Sequence, residues 1–190
     1  MKYILASGSP RRKEILTRMG LEYEVLVSEV SEEHEDMSPQ EIVQELSRRK
    51  AQAVADLLQN RELTEDSCII AADTLVAIDG EVLGKPADRR ESYEMIARIR
   101  GREHQVYTGV TLIRLPENKA DTFYEATDVY VKPLTEEEIR AYVETGEGDD
   151  KAGAYAIQGL FGAHIERFDG DYDNVVGLPA KALQEHLDKL

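Results

Sequence analysis

Apolar and polar positions along this chain switch between a helical and a strand period, and the switching outlines an α/β protein. Tyr3, Ile4, Leu5 and Ala6 form a buried-strand run, and 23–27 alternates as a second strand. Residues 11–19 place Ile15, Leu16 and Met19 on one helical face. Ser38-Pro39-Gln40-Glu41 is a capping box with proline at the first helical position. It opens a helix to about 59, with Ile42, Val43, Leu46, Ala53, Val54 and Leu57 recurring at helical spacing. Residues 68–78 are almost continuously apolar, as in a central strand covered on both faces. Asp79-Gly80 turns the chain tightly into a return strand at 81–83. Asp88 to Glu91 caps a helix to about 100, with Tyr93, Ile96 and Ile99 inward and Gly101 ending it. Strands at 104–115 and 123–131 flank a turn at 116–119 and read as an antiparallel hairpin. Thr135 to Glu138 caps a helix to about 145, 163–168 reads as a strand, and 179–190 closes as a helix. No repeat, low-complexity tract or linker interrupts the 190 residues, which we read as a single domain, 1–190.

Composition narrows the class. Hydrophobic residues make up 42% and charged residues 32%, the balance of a soluble globular chain. No apolar run approaches the roughly 20 residues of a membrane helix, and no signal-type stretch follows Lys2, so the expected location is the cytoplasm. A net charge of −15 argues against nucleic acid or an anionic membrane as partner. A polyphosphate ligand would need a local basic pocket and divalent cations. The single cysteine, Cys68, excludes an internal disulfide and sits in an apolar run, so a buried inert thiol is expected.

The opening loop offers such a pocket. Ser7, Gly8 and Ser9 lie between the first strand and the first helix, followed by Pro10, Arg11 and Arg12. Small residues let a ligand approach the backbone, a helix start favours an anion, and guanidinium forks match phosphate oxygens. The bland reading is a strand-to-helix connection with a serine cap and two solvated arginines. It is neither a Walker loop nor a dinucleotide fingerprint.

Further candidates follow along the chain. Asp73 interrupts the apolar strand, where a carboxylate is costly unless paired, hydrogen-bonded or metal-bound. Lys85 follows the return strand, which can bring it back toward Asp73 if the hairpin is short. Lys50 lies on the long helix beside Arg48 and Arg49, most simply as a solvent-facing cation. An acidic stretch, 29–36, holds Glu32, Glu33, Glu35 and Asp36, of which one or two can take Mg²⁺. The run from Asp150 to Gly159 is rich in small residues without an obvious packing face, and Gln158 within it has donor and acceptor functions suited to a base edge.

With these residues in view, the sequence closely resembles the Maf family of nucleoside triphosphate pyrophosphatases. The matches are Ser7 to Arg12, Ala72-Asp73-Thr74, Gly84-Lys85-Pro86 and Asp150 to Gly159, in family order and nearly end to end. The resemblance implies an inosine-triphosphatase-like fold: a long mixed sheet flanked by helices, with a cleft between two lobes. It implies hydrolysis of a nucleoside triphosphate to monophosphate and pyrophosphate with a divalent metal cation, Mg²⁺ or Mn²⁺. By that resemblance Asp73 is the proton acceptor. Ser7, Arg11, Arg12, Lys50 and Lys85 bind phosphate, and Glu32 joins Asp73 at the metal. Arg11, Thr74 and Gln158 stand at the positions that separate substrate subgroups, and match the one acting on dTTP and UTP. The resemblance also implies a homodimer. The alternatives are a pyrophosphatase for 7-methyl-GTP or another modified nucleotide, and a non-catalytic nucleotide-binding regulator of cell division.

Overall fold

The computed structural model describes residues 1–34, 36–59 and 66–190; Glu35 lies outside them. Its strands are β1 (Lys2–Leu5), β2 (Tyr23–Val25), β3 (Ser67–Ile78), β4 (Glu81–Leu83), β5 (Glu103–Leu115), β6 (Lys119–Val131) and β7 (Ile165–Asp169). Its helices are α1 (Pro10–Arg18), α2 (Pro39–Gln59), α3 (Arg89–Ile99), α4 (Glu136–Glu144), α5 (Tyr172–Val176) and α6 (Ala180–Leu187). The seven strands form one mixed sheet in the order β2-β1-β3-β5-β6-β7, with β4 paired to β3. β1 is parallel to β2 and to β3, whereas β4 and β7 run antiparallel to β3 and β6. No helix among the described residues is long and apolar enough to cross a membrane.

The chain divides into two compact units: residues 1–73, 108–125 and 177–190 form the first, and 74–107 with 126–176 the second. In the first, α2 covers the sheet. Val54, Ala55 and Leu58 pack with Ile4, Ile69, Ala71 and Ile113 in one apolar cluster. Leu57, expected inward, is exposed, because the buried stripe follows Val54 to Leu58 at four-residue spacing. β2 stops at Val25, two residues short of the expected end, although Leu26 still donates to the Leu5 carbonyl. Cys68 is fully buried, and desolvation pushes its thiol up to about 12.

The second unit explains the run of small residues. The segment after α4 folds back as two short 3₁₀ turns, Ala152–Ala154 and Leu160–His164, and β7 starts later than the pattern suggested. Gly153 has φ +69°, donates to the Gly84 carbonyl at 3.1 Å, and leaves no room for a side chain beside Val76. Glu147 accepts from the backbone N–H groups of Leu160 and Phe161 at 2.8 and 3.2 Å. Tyr155 is buried against Phe161, and its hydroxyl lies 2.6 Å from His104 Nε2. The short α5 follows the Asp171 side chain, which accepts from the Asp173 N–H; its five residues carry too little periodicity to be read in advance.

α2 and β5 approach backbone to backbone. A Cβ at Gly109 would stand 2.3 Å from the Val43 carbonyl oxygen, so glycine is required there. Gly109→Ala is expected to cost about 3 kcal/mol, because the whole helix must move to admit one methyl. Urea unfolding measures it; an unchanged midpoint would refute so close a helix–sheet contact.

Candidate active site

The site begins at the loop between β1 and α1, both within the first unit. Ser9 precedes the helix but makes no side-chain cap; Ser7 instead ties the loop to itself, its Oγ accepting from the Ser9 N–H at 3.2 Å. The same Oγ accepts from Arg12 Nη1 at 3.1 Å, and Arg12 Nε donates to the Gly177 carbonyl at 2.8 Å. Two fixed points therefore orient the guanidinium. Burial pulls the Arg12 pKa below its usual value, Asp73 raises it, Arg11 lowers it, and Glu32 raises it. These four charged groups thus share one electrostatic neighbourhood. Arginine starts so high that Arg12 remains a cation.

Asp73 has its compensating charge. Lys50 on α2 donates from Nζ to Asp73 Oδ1 at 2.6 Å and to Glu32 Oε1 at 3.0 Å. The lysine and aspartate side chains are only 18% and 12% exposed, whereas Glu32 is 60% exposed. A buried carboxylate paired with a half-buried ammonium answers the cost that the apolar strand imposes. The solvent-facing reading of Lys50 is therefore corrected: four residues after Leu46 and four before Val54, it sits on the sheet-facing side of α2.

A cavity of about 470 Å³ opens beside these groups, lined among others by Ser7, Gly8, Arg12, Ser28, Glu32 and Lys50. Asp73 reaches it through Lys50. One wall is the opening loop; the other is the irregular segment after β2. A Cβ at Gly8 would lie 3.9 Å from Val27, which places the two walls against each other. Ser28 Oγ is buried there with no hydrogen-bond partner among the described residues. Sequence reading passed over Ser28, since a lone serine beyond a strand carries no periodic signal.

Among the described residues no group of three or more His, Cys, Asp or Glu is gathered as for a protein-only metal site. The donor chemistry nevertheless fits the divalent cation that the resemblance implies. The Asp73 and Glu32 oxygens converge on one ammonium, marking a place where positive charge is held by two carboxylates. Mg²⁺ sites of this kind take one or two carboxylates and complete the shell with water and substrate phosphates.

The expected residues thus fall into two groups. Ser7, Arg12, Glu32, Lys50 and Asp73 meet in the first unit. Arg11 is half-buried on α1, beside Arg12 in sequence. Thr74, Lys85 and Gln158 belong to the second unit: Thr74 on β3, Lys85 exposed in the loop after β4, and Gln158 exposed ahead of the second 3₁₀ turn. The approach of Lys85 to Asp73 spans both units and stays an expectation of the sequence.

Replacing Lys50 with methionine would leave Asp73 buried without its ammonium. Lys50→Met is expected to cost about 3 kcal/mol. Urea unfolding at neutral pH checks this; a loss no larger than that of an exposed lysine would mean that the pair contributes nothing.

The chain was compared with known proteins. The family model described as Maf-like protein matches residues 2–190. A dTTP/UTP pyrophosphatase of Thermoanaerobacter sp. (strain X514) is 48% identical over 183 residues, covering 96% of this chain and 93% of the relative. The dTTP/UTP pyrophosphatase of Carboxydothermus hydrogenoformans is 46% identical over 187 residues, covering 98% and 97%. That of Caldicellulosiruptor bescii is 45% identical over 190 residues, covering 100% and 94%. A crystal structure of a nucleoside-triphosphatase, a dITP/XTP pyrophosphatase from Mycobacterium abscessus, is similar at a TM-score of 0.43 and 18% identity, over 69% of this chain and 74% of that one, too slight a likeness to bear on the reading. Matched from its second residue to its last by this family model, and 45–48% identical to these relatives over nearly its whole length, the chain belongs to the Maf family.

Proposed function

We propose that this chain is a nucleoside triphosphate pyrophosphatase acting on dTTP and UTP, which it cleaves to the monophosphate and pyrophosphate. One observation carries the reading: a carboxylate buried in an apolar strand, Asp73, is tied through Lys50 to a cavity walled by Ser7 and Arg12. The relatives named dTTP/UTP pyrophosphatase, matched along almost their whole length, supply the substrate class.

In this reading the triphosphate enters the cavity against the backbone of Ser7 and Gly8. Arg12, already oriented by Ser7 Oγ and the Gly177 carbonyl, meets phosphate oxygens, with Arg11 and Lys85 adding charge. Phosphate draws the Lys50 ammonium away from Asp73 Oδ1. That releases the carboxylate to accept a proton from water as its oxygen bonds the α-phosphorus and the α–β anhydride bond breaks. Asp73 and Glu32 would hold Mg²⁺ or Mn²⁺, which offsets the charge of the departing pyrophosphate. Positioning and fixed charge carry most of such catalysis, so rigid anchoring of Arg12 is itself part of it. Thr74 and Gln158 hydrogen-bond the pyrimidine, with Arg11 marking the same preference. A polar group that the bound base covers, and that the wrong base leaves unpaired, gives strong discrimination.

Asp73→Asn keeps the shape and an acceptor but removes the base. It is expected to abolish pyrophosphate release, by about 10³-fold or more, while nucleotide binding persists. Near-normal turnover would disprove the assignment. Pyrophosphate release from a panel of dTTP, UTP, CTP, GTP, ATP and 7-methyl-GTP tests the substrate. Preference for 7-methyl-GTP would overturn the pyrimidine reading, and binding without release would leave a regulator instead.

A further inference from the structure

We infer that Arg49 is a positioning residue for this site, holding the backbone on both sides of Glu32 and so setting where that carboxylate stands. The inference rests on the proposed role of Glu32 beside Asp73. Residues 26–34 form neither helix nor strand, so nothing in a ladder or helical turn fixes Glu32. Arg49 Nη1 donates to the Glu33 carbonyl at 2.6 Å and, more weakly, to the Ser31 carbonyl at 3.4 Å. Its Nε donates to Glu45 Oε1 at 2.8 Å, one turn earlier on α2.

The guanidinium therefore bridges a rigid helix and an irregular segment, with Glu32 between the two carbonyls it grips. The next residue on the same helix, Lys50, donates from Nζ to Glu32 Oε1 at 3.0 Å. α2 thus fixes Glu32 twice, by its backbone through Arg49 and by its carboxylate through Lys50. The second contact is surrendered when Lys50 turns to phosphate; the first is not. Arg49 keeps Glu32 beside Asp73 at that moment. A planar fork with several donors suits the task, whereas an ammonium concentrates its charge at one point. Arg48 carries the same charge one residue earlier, and its Nη1 pairs with the other oxygen of Glu45 at 2.6 Å.

The test uses the 190-residue chain with Arg49→Ala, Arg49→Lys and Arg48→Ala, the melting profile of each being recorded. Turnover of dTTP is followed across a Mn²⁺ titration. Binding of Mn²⁺ is read separately from the electron paramagnetic resonance of the free ion, with a non-hydrolysable α,β-imido nucleotide present. Arg49→Ala is expected to raise both the half-saturating Mn²⁺ and its dissociation constant about tenfold, while kcat at saturating Mn²⁺ changes much less. Arg49→Lys falls between, and Arg48→Ala matches the parent. In a Glu32→Gln background, Arg49→Ala adds nothing, because the two act as one unit. Equal Mn²⁺ constants for Arg49→Ala and Arg48→Ala, alongside an effect of Glu32→Gln, would overturn the inference and leave the role of Glu32 standing. A full additional loss in the Glu32→Gln background would also overturn it. A lowered melting temperature with unchanged Mn²⁺ binding would reduce Arg49 to a surface tie. Should Glu32→Gln itself change nothing, the role of Glu32 falls and this inference with it, while Asp73 is judged by its own variant.

Discussion

The ion pair between Lys50 and Asp73 governs the first unit. β3 is buried along nearly its whole length, and a carboxylate there would ordinarily be excluded or held neutral. An ammonium at 2.6 Å supplies the opposite charge that the apolar strand does not. The pairing requires α2 to lie close to the strands, and the helix meets β5 at a glycine, with Ser47 and Thr111 joined by a hydrogen bond at 2.8 Å. Chemistry and packing therefore impose the same demand. The helix must sit near enough to deliver a lysine, and the sheet must be bare enough to receive it.

Charge in this pocket is balanced locally. The protein carries a net −15, yet Arg12, Lys50 and Glu32 line one cavity, and Lys50 is paired with Asp73. Arg12 is committed to the chain itself, through Ser7 and Gly177, and arrives preorganised. Lys50 is committed to carboxylates, and its bonds are exchangeable for bonds to phosphate. Arg12 is thus tied to a backbone carbonyl and a hydroxyl, and Lys50 to two carboxylates. Backbone and hydroxyl acceptors carry little charge and hold without competing for an anion.

Much of this was legible beforehand. The apolar run around Asp73, the loop at Ser7 and the capping boxes each carry a local signal that the fold keeps: Thr135 and Glu138 cap α4 reciprocally, and Asp88 accepts from Glu91. Helix and strand identities followed the period of burial. The pairing of Lys50 with Asp73 was not legible from its neighbours, because charge adjacent in sequence says nothing about which helical face a residue occupies. Ser28 and Arg49 were invisible for another reason. Their roles depend on how an irregular segment lies against a helix, and no periodicity encodes that. The small residues at 150–159 drew attention as a ligand approach, but Gly153 also answers to crowding by Val76. One composition serves both demands, and sequence alone does not separate them.

Cys68 sits opposite Tyr3 in the parallel pairing of β1 with β3, entirely out of solvent and with its thiolate strongly disfavoured. Alkylating reagents attack the thiolate, so the folded chain is inert toward them as long as β1 and β3 stay joined. This lone thiol is therefore a built-in clock for sheet opening. Its labelling rate under native conditions counts the excursions in which the strand carrying Asp73 parts from its neighbour, with no probe added to the molecule.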